Sequence, residues 1–211
     1  MSSSERAPRP SRFAGIEAAI VFTLVMLYIW RLRFRYPYSW VAILALVLAS
    51  HWLRREGFRK LGFRWNSPPR GFATALAVFA IVLLSAGALL HTIRQVSWQG
   101  AVVSLALYSI WGLVQQYLLN GYFVNRFSEV GAPAGLAPLL AAIAFSLVHL
   151  PNWFLMIVTL AGGYICARIY LAHRNLYILG AAHGIIGFLI YFTVPDTISH
   201  HLYVGPKWFY M

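Results

Sequence analysis

The chain has 211 residues, of which 60% are hydrophobic, 16% aromatic and only 10% charged. Soluble domains carry about 25% charged residues, so this composition excludes a soluble enzyme, a disordered tail and a disulfide scaffold. The formal net charge is +12, from 17 basic and 5 acidic residues. Position argues against a nucleic-acid partner: the basic residues, mostly arginine, lie in short stretches beside long apolar runs, where they meet lipid head groups. The single cysteine, Cys166, sits in an apolar run and reads as packing.

A hydrocarbon core of about 30 Å needs roughly 20 apolar residues of helix. Seven runs approach that length, at 13–30, 39–53, 71–92, 101–127, 135–150, 153–171 and 176–194. The second and fifth are short, and the fourth is long enough to tilt or protrude. The expected fold is an all-α polytopic membrane bundle of about seven transmembrane helices, within a range of six to eight. The first run is too long for a signal-peptide core and reads as a retained anchor. Counting lysine and arginine in alternate connecting segments gives twelve on the N-terminal side and five on the other. That bias places the N-terminus in the cytoplasm.

Residues 54–70 alternate basic residues with Phe58, Leu61, Phe63 and Trp65. This is the pattern of an interfacial amphipathic stretch, or of a solvated loop with a few aromatic contacts. His51, His91, Trp30, Trp40, Trp52 and Trp98 fall near span ends and read as an interfacial belt. The chain divides into an N-terminal part (1–100) with three spans, a four-helix core (101–194) and a tail (195–211).

Polar groups are costly in hydrocarbon and face the bundle interior, so they mark candidate sites. On the fourth run Gln115, Gln116 and Asn120 fall at 0°, 100° and 140° of an ideal α-helix, one polar sector. The fifth run ends Phe145-Ser-Leu-Val-His149-Leu-Pro151-Asn152, with the proline stopping the helix after the histidine. The seventh carries His183 among Gly180, Gly184 and Gly187, small residues that allow close approach and leave room beside the imidazole. The glutamines also read as interhelical glue, and each histidine as a satisfied hydrogen-bonding group.

At these three runs the sequence resembles the CPBP (Abi) family, which includes the type II CAAX prenyl endopeptidases. That family shows Glu-Glu-x-x-x-Arg, then Phe-x-x-x-His, then His-x-x-x-Asn or Asp on successive membrane helices. Gln115-Gln116-Tyr-Leu-Leu-Asn120 stands at the first, Phe145 to His149 matches the second, and His183-Gly-Ile-Ile-Gly187 stands at the third. The resemblance covers Ala101 to about Val194. It implies intramembrane hydrolysis of a prenylated or transmembrane peptide, with a glutamate activating water and the histidines positioning the reacting groups.

The departures fall on the chemistry. A carboxamide does not titrate in the working range, so Gln115 and Gln116 cannot be the base that the family's glutamate provides. Asn120 stands where the family has arginine, and Gly187 lacks the oxyanion donor. Three readings follow: a hydrolase with a histidine as base, a catalytically inactive scaffold or immunity-type protein that binds a hydrophobic peptide, and a zinc or other divalent metal site on His149 and His183 with His200-His201. Expected partners are membrane lipids and a prenylated or hydrophobic peptide. The expected location is a bacterial inner membrane.

Overall fold

The structure, a computed structural model, describes residues 11–131, 133 and 135–210. Arg6, Arg9 and Glu5, which entered the charge count, lie outside the described residues. Seven apolar helices correspond one for one to the seven runs: α1 (Arg12–Arg35), α2 (Pro37–Leu53), α3 (Phe72–Leu89), α4 (Trp98–Glu129), α5 (Leu136–Leu147), α6 (Trp153–His173) and α7 (Leu176–Thr193). Five are long and apolar enough to cross a bilayer, by length and composition, while α2 and α5 are the shorter ones. Their outer faces are apolar, with Val78, Ile81, Leu107 and Ile157 exposed, as suits helices whose solvent is lipid.

Helix starts are closed by side chains placed where backbone N–H groups would otherwise be orphaned. Ser97 accepts from Gly100 N at 3.1 Å at the start of α4. Asn152 accepts from Leu155 N at 3.1 Å at the start of α6, and Asn175 from Ile178 N at 3.1 Å at the start of α7.

The chain alternates between two ends of the bundle. At one, Ser11 N donates to Glu129 O (2.8 Å) and Leu176 N to Gly62 O (2.8 Å). At the other, Arg94 N donates to Phe192 O (3.0 Å) and Gly205 N to Leu150 O (2.7 Å). A short helix α8 (Asp196–Ser199) follows α7. The tail after it is held by Asn152, whose Nδ2 donates to Ser199 O (2.9 Å) and Tyr203 O (3.1 Å).

Residues 57–66 differ from an amphipathic element lying in the interface. They form turns and irregular chain that strap across the α6–α7 junction. The Tyr170 hydroxyl donates to Leu61 O at 3.0 Å, Asn66 Nδ2 to His173 O at 2.7 Å, and the Trp65 ring stacks on Tyr177 at 4.4 Å. Gly62 has φ +97°, and a Cβ there would lie 2.5 Å from the Tyr170 ring. The strap's fixed aromatic and carbonyl partners, with no apolar period of 3.6, explain the absence of a helix. Arg59, Lys60 and Arg64 stay exposed.

Candidate functional site

Helix α4 and helix α7 meet along glycine. A Cβ on Gly112 would lie 2.7 Å from Gly180 O, and one on Gly180 would lie 2.8 Å from Leu113 Cα. Gly184 is closer still to the Ser109 backbone. The small residues of α7 therefore serve close approach, as the sequence implies.

That contact places Gln116 and His183 together, with Gln116 Nε2 3.0 Å from His183 Nδ1. Asn120 Nδ2 donates to Gln116 Oε1 at 2.5 Å, and both amides are buried. Gln115 does not join them: it is half-buried and makes no side-chain hydrogen bond among the described residues. Gln115 and Gln116 are consecutive on regular α-helix and so point about 100° apart, while the π-helix at Tyr117–Val124 turns about 87° per residue and brings Asn120 back over Gln116.

His149 lies just beyond α5, and its Nδ1 donates to Phe145 O at 2.6 Å. The Phe145 ring packs edge-on against both imidazoles, 5.0 Å from His149 and 5.9 Å from His183 by ring centroids. Tautomers follow from these partners. A carbonyl only accepts, so His149 carries its proton on Nδ1 and leaves Nε2 as an acceptor. His183 accepts at Nδ1 from the Gln116 amide and leaves Nε2–H as a donor. Gly187 faces the Tyr108 ring, 3.1 Å from where its Cβ would be, so an aromatic ring from α4 stands beside the position of the missing oxyanion donor.

His200 and His201 are elsewhere. The His200 ring lies 3.8 Å from Trp208, and His201 Nδ1 is 3.0 Å from Asp196, which also pairs with Arg94. Among the described residues no group of three or more His, Cys, Asp or Glu side chains is arranged to hold a metal ion, so the donor set proposed for zinc does not assemble.

A second polar region escaped the sequence reading. Arg126, fully buried, contacts Glu17 (3.2 Å), Glu56 (2.6 Å) and Glu129 (3.0 Å). It also donates to Ser50 at 3.0 Å, and Arg54 and Lys60 add further ion pairs to the same acids. Three carboxylates thus meet three cations where α1, α2 and α4 converge. His51, expected in an interfacial belt, is instead buried there, with Nδ1 donating to Glu56 at 2.7 Å. Burial pushes the Glu56 carboxyl up, but hydrogen bonds from His51 and Arg126, the Arg126 charge and Lys60 outweigh it and hold that group well below the usual carboxylate range. The visible signal was Glu17, an acid within an apolar run, which requires a buried partner. Glu129 is the last residue of α4.

Comparison with known proteins gives one finding for this region. Residues 97–189 match the family described as Rce1-like, type II CAAX prenyl endopeptidase. No curated protein and no solved structure matches the chain. The matched segment holds α4 to α7 almost entirely, including Gln116, His149 and His183. The protein is therefore an integral, polytopic helical membrane protein whose residues 97–189 resemble the Rce1-like, type II CAAX prenyl endopeptidase family.

Proposed function

We propose that the His149–His183 site binds a peptide group of a prenylated or hydrophobic chain within the membrane, without the glutamate-driven hydrolysis of the family pattern. The observation that carries this reading is the closed chain Asn120–Gln116–His183, in which a non-titrating carboxamide occupies the place of the base and both its ends are engaged. The remaining ring atoms, an acceptor at His149 Nε2 and a donor at His183 Nε2–H, complement the N–H and C=O of one peptide unit.

A second reading is favoured by His149 alone. Its Nε2 lone pair, with Nδ1–H fixed on Phe145 O, gives a neutral imidazole oriented as a general base, so a histidine-dependent hydrolase is the alternative. The site stands in a bacterial inner membrane with the α1 start and the Arg126 region on the cytoplasmic side, as the excess of basic residues at that end supports.

The test uses full-length protein in nanodiscs with a fluorescent farnesylated CAAX-type peptide and its unprenylated counterpart. Binding without turnover is expected, weakened about fivefold or more by His149→Ala and by His183→Ala through loss of one hydrogen bond each. Turnover that His149→Ala abolishes would replace the binding reading with the hydrolase. Binding indifferent to both substitutions would remove the site from either.

A further inference from the structure

The end of α1 opposite Arg12 carries Arg31, Arg33 and Arg35, on the face where basic residues are otherwise scarce. All described carboxylates are engaged elsewhere: Glu17, Glu56 and Glu129 around Arg126, and Asp196 by Arg94 and His201. Arg31, Arg33, Arg35 and Lys207 therefore have no acidic partner among the described residues. A groove of about 590 Å³ opens there, lined by Trp30, Arg31, Phe34, Pro206 and Tyr210. Arg33 ties α1 to the wall formed by the tail, with Nη2 donating to Val204 O at 2.9 Å. Two buried donors at this junction, Trp30 Nε1 and Arg33 Nε, have no acceptor.

Every nitrogen group at the groove is thus a donor or a cation, and its walls are aromatic. The chemical complement is an anion bearing several acceptor oxygens, joined to an apolar body. Depth is consistent with this. The groove lies at the end of a 24-residue apolar helix, at head-group level, and below it α1 exposes Ile20 and Leu27 for acyl chains to cover. We infer that this groove seats the phosphodiester head group of an anionic phospholipid, with Arg31 and Arg35 as its exposed charge partners and Trp30 and Phe34 as its floor. The lipid site is separate from the His149–His183 site and does not depend on the peptide-binding reading.

The experiment measures retained lipid by native mass spectrometry, and melting temperature, on the full chain in micelles doped with phosphatidylglycerol, with phosphatidylcholine, or with inorganic phosphate alone. Phosphatidylglycerol is expected to be retained and to raise the melting temperature, and the other two are not. Arg31→Gln and Arg35→Gln each lower phosphatidylglycerol retention about fivefold, the effect of one basic residue at a lipid surface. Arg59→Gln and Arg64→Gln, at the other end of the bundle, leave it unchanged. Trp30→Phe keeps an aromatic ring but removes the unpartnered N–H, so it raises the melting temperature of lipid-free protein while weakening lipid retention. Equal retention of phosphatidylcholine, an equal effect of inorganic phosphate alone, or phosphatidylglycerol retention untouched by the Arg31→Gln/Arg35→Gln double change would each overturn the assignment.

Discussion

Around Arg126 three carboxylates meet three cations where α1, α2 and α4 converge, whereas the site formed by Gln116, Asn120, His149 and His183 holds its shape with carboxamides and imidazoles and contains no carboxylate. The two regions share helix α4, on which Gln116 of one and Arg126 of the other are ten residues apart. The difference teaches what each is for. Buried charges demand matching partners from several helices at once, so they fix how α1 and α2 sit on the family-matched core. Neutral hydrogen bonds in the membrane contribute only about 0.6 to 2 kcal/mol each, so they orient side chains without dictating the assembly. Glu17 and Glu56, which answer Arg126, come from outside residues 97–189.

The comparison breaks most severely at Arg126. Arg126→Met leaves Glu17, Glu56 and Glu129 facing one another with their central cation gone, and the expected loss is about 3–5 kcal/mol, read as a drop in melting temperature of the detergent-solubilised protein. Arg126→Lys restores only part of it, because a single ammonium cannot reach three carboxylates and Ser50 as the guanidinium fork does. A melting temperature unaltered by Arg126→Met would show that the cluster does not hold the bundle.

Gly184→Ala tests the packing that brings the two motif helices together. Its Cβ would collide with the Ser109 backbone, which cannot rotate away, and the expected cost is about 1–3 kcal/mol with α4 and α7 forced apart. A cysteine pair placed across α4 and α7 would cross-link more slowly in that variant. An unchanged rate would contradict the close contact.

The charged region should also give the protein an acid limit. Glu56 has its carboxyl depressed below the ordinary value of 4.5, so its contribution to stability is fully present above about pH 4.5 and is lost as pH falls through the lower folded value. Melting temperature recorded from pH 7 down to pH 3 should fall through that window in the native sequence and fall less in Glu56→Gln. Parallel curves for the two would show that Glu56 is not the group responsible.

Much of the architecture was legible because hydrocarbon thickness sets a length that sequence displays directly. The seven apolar runs became α1 to α7, with the two short runs becoming α2 and α5. The pairing of Gln116 with His183 was legible as two polar residues on separate apolar helices, but the exclusion of Gln115 was not, since residue spacing does not say which of two adjacent glutamines faces the partner helix, and the π-helical turn at Tyr117–Val124 that sets Asn120 over Gln116 is announced by no spacing. The Arg126 cluster was hidden for another reason. Its acids are spread over Glu17, Glu56 and Glu129, and only the fold brings such distant positions together. Residues 57–66 were ambiguous because arginines beside aromatics describe a membrane-surface element and a tightly packed strap equally well.

The central claim is that ionised and neutral polar groups are segregated, so that the site can hold a peptide but lacks the carboxylate to cut it. The most direct test incubates a farnesylated CAAX-type peptide with the native protein and with the Gln115→Glu/Gln116→Glu variant, both reconstituted in nanodiscs, and measures cleaved peptide by mass spectrometry. The account predicts bound but intact peptide for the native protein and cleavage that appears with the two glutamates. Cleavage by the native protein, lost in His149→Ala, would contradict it.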